Sequence, residues 1–143
     1  MGLFGAFQMI PRVFPGDTVL TGEGRVFALH MFDALVECEA ALTYRAADGS
    51  MYTDSLPETR KLPHRSRCDP VIYFNIAKNR CTRLREGRQL VSAAVRDVRD
   101  LDLSLWAKRN SEPRFHQIVD LERFCAADPS YDVLRHNSWI RTP

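Results

Sequence analysis

The chain has 143 residues, 45% of them apolar and 27% charged, with a formal net charge of +2. That length predicts one domain, residues 1–143, large enough to bury a core. The charge is small and the arginines are spread from Arg12 to Arg141, so the clustered basic face of a nucleic-acid-binding protein is not expected.

Residues 1–12 open with an apolar run, Leu3-Phe4-Gly5-Ala6-Phe7-Gln8-Met9-Ile10. It is shorter than the roughly 20 residues of a membrane-spanning helix. It lacks the basic start and small-residue cleavage site of a secretory signal. Myristoylation of Gly2 is not supported, because Ala6 stands where a serine or threonine is wanted. Leu3, Phe7 and Ile10 fall at helical spacing, so the run reads either as the end of a preceding helix stopped before Pro11 or as an N-terminal arm.

Residues 13–32 follow. Pro15-Gly16-Asp17 breaks regular structure and offers a cap or turn. Thr21-Gly22-Glu23-Gly24 places two glycines where positive φ or close approach is needed. Val26 to Phe32 holds one polar residue, His30, among six apolar ones, as in a buried strand or packed edge.

From Val36 to Tyr44 the odd and even positions alternate: Val36, Cys38, Ala40, Leu42 and Tyr44 form one face. Period two predicts a half-buried strand. Asp48-Gly49 signals a hairpin, with Ser50 to Thr53 returning. Residues 55–68 contain two prolines and a basic cluster around His64, and read as a loop with a solvated basic surface. Asp69-Pro70 then predicts a helix N-cap and N1. Tyr73, Ala77, Cys81 and Leu84 share its inner face, Ile72 and Ile76 flank it, and Gly87 ends it. Residues 88–98 fit neither a helix nor a strand well.

Leu101, Leu103, Leu105 and Ala107 alternate with polar residues and Trp106. With the turn Asn110-Ser111-Glu112-Pro113 and the return Arg114 to Val119, they predict a second hairpin. Trp106 falls on its less apolar face. The remainder is irregular with aromatic anchors, and Trp139 is expected to pack back on the sheet. The fold class is therefore α+β: β-rich antiparallel hairpins, sandwich-like, with one amphipathic helix packed on the sheet.

The cysteines, at 38, 68, 81 and 125, have no Cys-x-x-Cys pair, which argues against a zinc knuckle. In an oxidising compartment three pairings are open, and the sequence does not choose among them. The simpler expectation is buried free thiols. No two of His30, His64, His116 and His136 have metal spacing. Glu37 and Glu39 share a strand face and read as solvated. No nucleophile elbow, phosphate loop or dinucleotide fingerprint occurs.

Several segments, taken in order, resemble one family. Phe14-Pro15-Gly16-Asp17, Thr21-Gly22-Glu23-Gly24 and Phe27-Ala28-Leu29-His30-Met31 look like the segment after the last membrane helix of vitamin K-dependent gamma-carboxylases and their bacterial HTTM-domain relatives. Asp69-Pro70 to Ala77, Leu101 to Trp106, Ile118-Val119-Asp120-Leu121 and Ser138-Trp139-Ile140 continue the likeness over about 125 residues. The resemblance implies an extracytoplasmic, β-rich C-terminal region without the transmembrane helices. It implies no catalytic residue and no metal in this chain, with reduced vitamin K used only by a full-length member. The partner would be a membrane-helix domain, in cis or as a separate subunit, and a peptide substrate. Localisation would be at a membrane, on its periplasmic or lumenal side. The same likeness places substrate contacts at Arg25, Phe27, Leu29, His30 and Met31. It gives Pro15, Gly16, Asp17, Gly24, Asp69, Pro70, Trp106, Asp120 and Trp139 structural roles. Leu20 and Leu29 stand where the family has tryptophans; losing two indoles removes N–H donors and flat surfaces. Carboxylation is thus not expected of this chain alone. The alternative is a free-standing, soluble cytoplasmic interaction module of the same ancestry.

Overall fold

Alternating side chains dictate the sheet. In the computed structural model, which describes residues 13–23, 36–56, 59, 61–88 and 97–143, both predicted hairpins form. The first is β1 (Val36–Ala46) and β2 (Met51–Asp54), the second β3 (Val98–Arg109) and β4 (His116–Leu121). They lie side by side in one antiparallel sheet of order β2-β1-β3-β4. The join is the long β1–β3 pairing, from Val36 opposite Arg109 to Ala46 opposite Val98. Leu42 and Tyr44 face the core opposite Leu103 and Leu101, and all four are fully buried. A bulge after Leu105 leaves Ile118 as an extra residue in β4. That explains why two consecutive residues, Ile118 and Val119, are both buried.

The second layer is helical. Helix α1 (Thr18–Thr21) and helix α2 (His64–Arg67) are single turns; the second lies inside the stretch expected to be loop. Helix α3 (Pro70–Arg85) is the principal one, and α4 (Phe124–Ala127) is again one turn. Asp69 caps α3 by accepting from Val71 N at 3.0 Å, and Pro70 takes N1. At the other end Gly87 has φ of +67°; its N–H donates to Leu84 O and that of Arg88 to Arg83 O. These two bonds make a Schellman stop. Tyr73, Ala77 and Cys81 are buried as the helical spacing predicts, and Phe74 joins them. The chain is α+β, a four-stranded antiparallel sheet with a helix packed on one face.

The thiols are a correction. Among the described residues no cysteine is free: Cys38 is bonded to Cys68 and Cys81 to Cys125, with Cα separations of 5.5 and 5.3 Å. The same inward orientation that reads as burial brings each thiol against its partner. The partners are 30 and 44 residues apart, a distance at which periodicity carries no information. Trp139 joins the core cluster that the sheet lines. Its ring stacks on Phe74 of α3 with centroids 4.8 Å apart, and its Nε1 donates to Ser130 O at 3.0 Å. Its neighbour Ile140 bridges to Val119 of β4. Trp106 is half-buried on the polar face, opposite Glu39 and Gln117.

Residues 1–12, Gly24 and the five residues Arg25, Phe27, Leu29, His30 and Met31 lie outside the described residues, as do 89–96. Among the described residues no helix is long and apolar enough to cross a membrane.

Topology gives the domain two ends. Asp17 pairs with Arg109 at the end of β3, and the Cys38–Cys68 bond ties the start of β1 to the start of α3. This end also carries the β3–β4 turn. The opposite end carries the β1–β2 turn and α4, whose Cys125 holds Cys81 on α3 and whose N–H donates to Asp100 of β3 at 2.8 Å.

Candidate functional site

Asp17 accepts from Val19 N at 3.0 Å and so caps α1. Gly22 stops that turn in the left-handed region, with φ of +68°. A Cβ on Gly22 would lie 3.2 Å from Pro70 Cδ and 3.6 Å from Asp69 Oδ1. The missing side chain thus lets this segment press against the start of α3. The next residue, Glu23, is carried inside and is only 1% exposed.

A buried carboxylate needs donors, because desolvation otherwise costs several kcal/mol. Glu23 has three. Asn137 N donates to Oε1 at 2.7 Å, Asn137 Nδ2 to the same oxygen at 3.2 Å, and His136 Nδ1 lies 2.7 Å from Oε2. An ionised carboxylate only accepts, so the proton of this last bond sits on Nδ1. That leaves Nε2 as the outward-facing nitrogen of a ring whose side chain is 35% exposed. Asn137 also ties down the loop before it. Its Oδ1 accepts from Asp132 N at 2.7 Å, and its Nδ2 reaches Asp132 O at 2.9 Å and Arg135 O at 3.1 Å.

Tyr131 stands beside this group. Its ring is 6.2 Å from that of Trp139 and 6.4 Å from that of Phe74. Burial pushes its phenol above the ordinary tyrosine value, and the charges of Asp69, Glu23 and Asp132 push in the same direction. The phenol therefore stays protonated as a donor at neutral pH. Together these residues make an imidazole whose orientation is fixed by the carboxylate behind it. Among the described residues no group of three His, Cys, Asp or Glu side chains is arranged to hold a metal ion.

A second feature is an open groove on α3, lined by Ile72, Asn75, Ile76, Asn79, Arg80 and Arg83 and about 450 Å³ in volume. Its floor is apolar and its rim amide and guanidinium, a surface suited to an extended chain bearing carboxylates.

Of the residues named from the sequence, the fold gathers Gly16, Asp17, Asp69, Pro70 and Trp139 near Glu23 or on the segment that delivers it. Gly16 packs against Thr142, where an added Cβ would meet its Cβ at 2.6 Å. Asp120 instead pairs with Arg141 on the exposed edge, and Trp106 lies on the far face of the sheet. Glu23, Tyr131, His136 and Asn137 were not singled out as site residues by sequence. The local signal was Glu23 between two glycines; its partners lie 113 and 114 residues away. No family model, no curated protein and no solved structure matches the chain.

Proposed function

We propose that this chain is the non-catalytic, extracytoplasmic domain of a gamma-carboxylase-like (HTTM) membrane protein, where it caps the membrane helices and helps recognise a peptide substrate. The observation that carries the reading is the pair of disulfides, Cys38–Cys68 and Cys81–Cys125. Such bonds persist in periplasm, lumen or extracellular space and are rare in a reducing cytosol. The groove on α3 supports the peptide: Arg80 and Arg83 beside Asn75 and Asn79 favour acidic side chains by charge and by hydrogen bonding. Reduced vitamin K belongs, in this reading, to the membrane helices of a full-length protein and is not assigned to any residue here.

The test is fractionation of the native polypeptide from its own cells, with thiols blocked before lysis and an antibody to this domain. A band well above 16.4 kDa in the membrane fraction, with mobility that changes on reduction, is expected. A soluble band near that mass would replace the proposal with a free-standing interaction module. Rapid labelling of all four cysteines without reductant would remove the extracytoplasmic assignment.

A further inference from the structure

The face of the sheet turned away from α3 sorts its charges into pairs. Arg45 holds Asp102 at 2.7 Å, Lys108 holds Glu37 at 3.1 Å, and Arg141 holds Asp120. One carboxylate of this face is left over. Glu39 is exposed, and among the described residues its side chain has no ion pair or hydrogen bond. It lies directly across from Trp106 of β3, and Gln117 of β4 lies across from Trp106 on the other side. Partners in such register point to one face, with Cβ atoms about 5 Å apart. Trp106 is half-buried, and among the described residues no cation stands over its ring.

The neighbouring register position shows what such a pair does. Lys108 stands two residues after Trp106 and faces Glu37, which stands two residues before Glu39. Its ammonium is 3.1 Å from Glu37 Oε2 and 5.0 Å from the centre of the Phe115 ring. A carboxylate, a cation and an aromatic ring thus come together from β1, β3 and the residue before β4. One step along the sheet a carboxylate and a larger ring recur, as Glu39 and Trp106. There, among the described residues, the chain supplies no cation of its own. An indole attracts a cation more strongly than a phenyl ring does, and an adjacent carboxylate adds a Coulombic attraction.

We propose that Glu39 and Trp106 form a binding site for a basic side chain, lysine or arginine, presented by an extended segment of a partner protein. Charge complementarity selects the cation. The basic groups of this face, Arg45, Lys108 and Arg141, are each held by their own carboxylate, and Glu39 adds one uncompensated negative charge. The setting selects a segment of chain over a small free amine. The site lies on a sheet surface, whereas small ligands favour concave pockets that bury most of their surface. Gln117 supports the segment's backbone. Its Oε1 accepts from Arg141 Nη1 at 2.8 Å, so its amide NH2 is the end left to donate to a main-chain carbonyl. The site is distinct from the groove on α3, which has the opposite charge preference, and it does not rest on the membrane assignment.

The experiment is an NMR titration of the full 143-residue chain with a capped pentapeptide of threonines around one central lysine. The indole N–H signal of Trp106 should move as peptide is added. Replacing the lysine by norleucine should weaken binding about threefold, the scale of an exposed cation–π contact with one screened ion pair. Glu39→Gln should weaken the lysine peptide by about the same factor and narrow its advantage over norleucine. Glu86→Gln, at the end of α3, should bind as the parent does. Circular dichroism and melting establish that each variant is folded. Trp106→Leu should lose the lysine preference; if it does not fold, the exposed Glu39→Gln is read alone. An unmoved Trp106 signal, equal binding of the norleucine peptide, or unchanged lysine binding by folded Glu39→Gln would each overturn the proposal. So would self-association of the free chain that Glu39→Gln abolishes, which would assign the site to a second copy.

Discussion

The two ends of the domain share the same strands and helix, and each has one disulfide, yet they are built from different chemistry. The end with α4 is held by visible ion pairs. Arg45 grips Asp102 at 2.7 Å, and Asp128 receives Lys78 at 3.2 Å and Arg85 at 3.5 Å. Asp100 and Asp102 accept backbone N–H groups of Cys125 and Arg123, fixing the corner where β4 turns into α4. The end with Glu23 buries a carboxylate too, but the donors differ: Asp100 is met by the backbone N–H groups of Leu101 and Cys125, Glu23 by His136 and Asn137 from 113 and 114 residues away. A set of donors assembled from that far to offset desolvation is a reason to look for function there.

The largest effect expected from breaking this comparison is loss of the staples. For loops of 30 and 44 residues, closure entropy predicts about 4 kcal/mol per bond. Cys38→Ser with Cys68→Ser should lower hydrogen-exchange protection first at the Glu23 end, and Cys81→Ser with Cys125→Ser at the α4 end. Equal loss at both ends in either variant would show that the ends are one cooperative unit.

Glu23→Ala is the next largest. It leaves Asn137 N and the His136 Nδ1 proton without their acceptor, and each buried unsatisfied donor costs about 1–3 kcal/mol. Denaturant melts should show about 3 kcal/mol lost on that basis, with the His136 ring resonances moved and those of His116 unmoved. A variant as stable as the parent would mean that the carboxylate's own burial cost cancels its hydrogen bonds.

Tyrosine ionisation sharpens the contrast with less perturbation. Burial raises Tyr131 and Tyr73 above the ordinary value near 10. Their contribution to stability is complete below that unfolded value and is lost as pH rises through the higher folded value. Absorbance in the near-ultraviolet phenolate band should show late-titrating phenols, and Tyr131→Phe should remove one of them. A single early transition would contradict the packing around Phe74.

The smallest effect is at the other end. Hydrogen bonding from Lys78, followed by its charge, holds Asp128 below the ordinary carboxylate value. The stabilisation is present above the unfolded carboxylate value and is lost as pH falls through the lower folded one. Lys78→Met should raise the Asp128 midpoint in an NMR titration while barely changing the melt, because the pair is exposed and screened.

What the chain alone determined is local. The alternation from Val36 to Tyr44 and from Leu101 to Ala107, the Asp48-Gly49 turn, and the Asp69-Pro70 start and Gly87 stop each depend on neighbours within a few residues. Side-chain direction and capping are set at that range, so the hairpins, the main helix and the α+β class were legible. The tertiary structure alone decided that the hairpins join through β1 and β3, that the four thiols pair as they do, that Trp139 stacks on Phe74, and that Glu23 meets His136. Those contacts link residues tens to more than a hundred positions apart, where only the packed core brings them within reach. Periodicity marks which side of an element is buried; it does not say which other element will be buried against it.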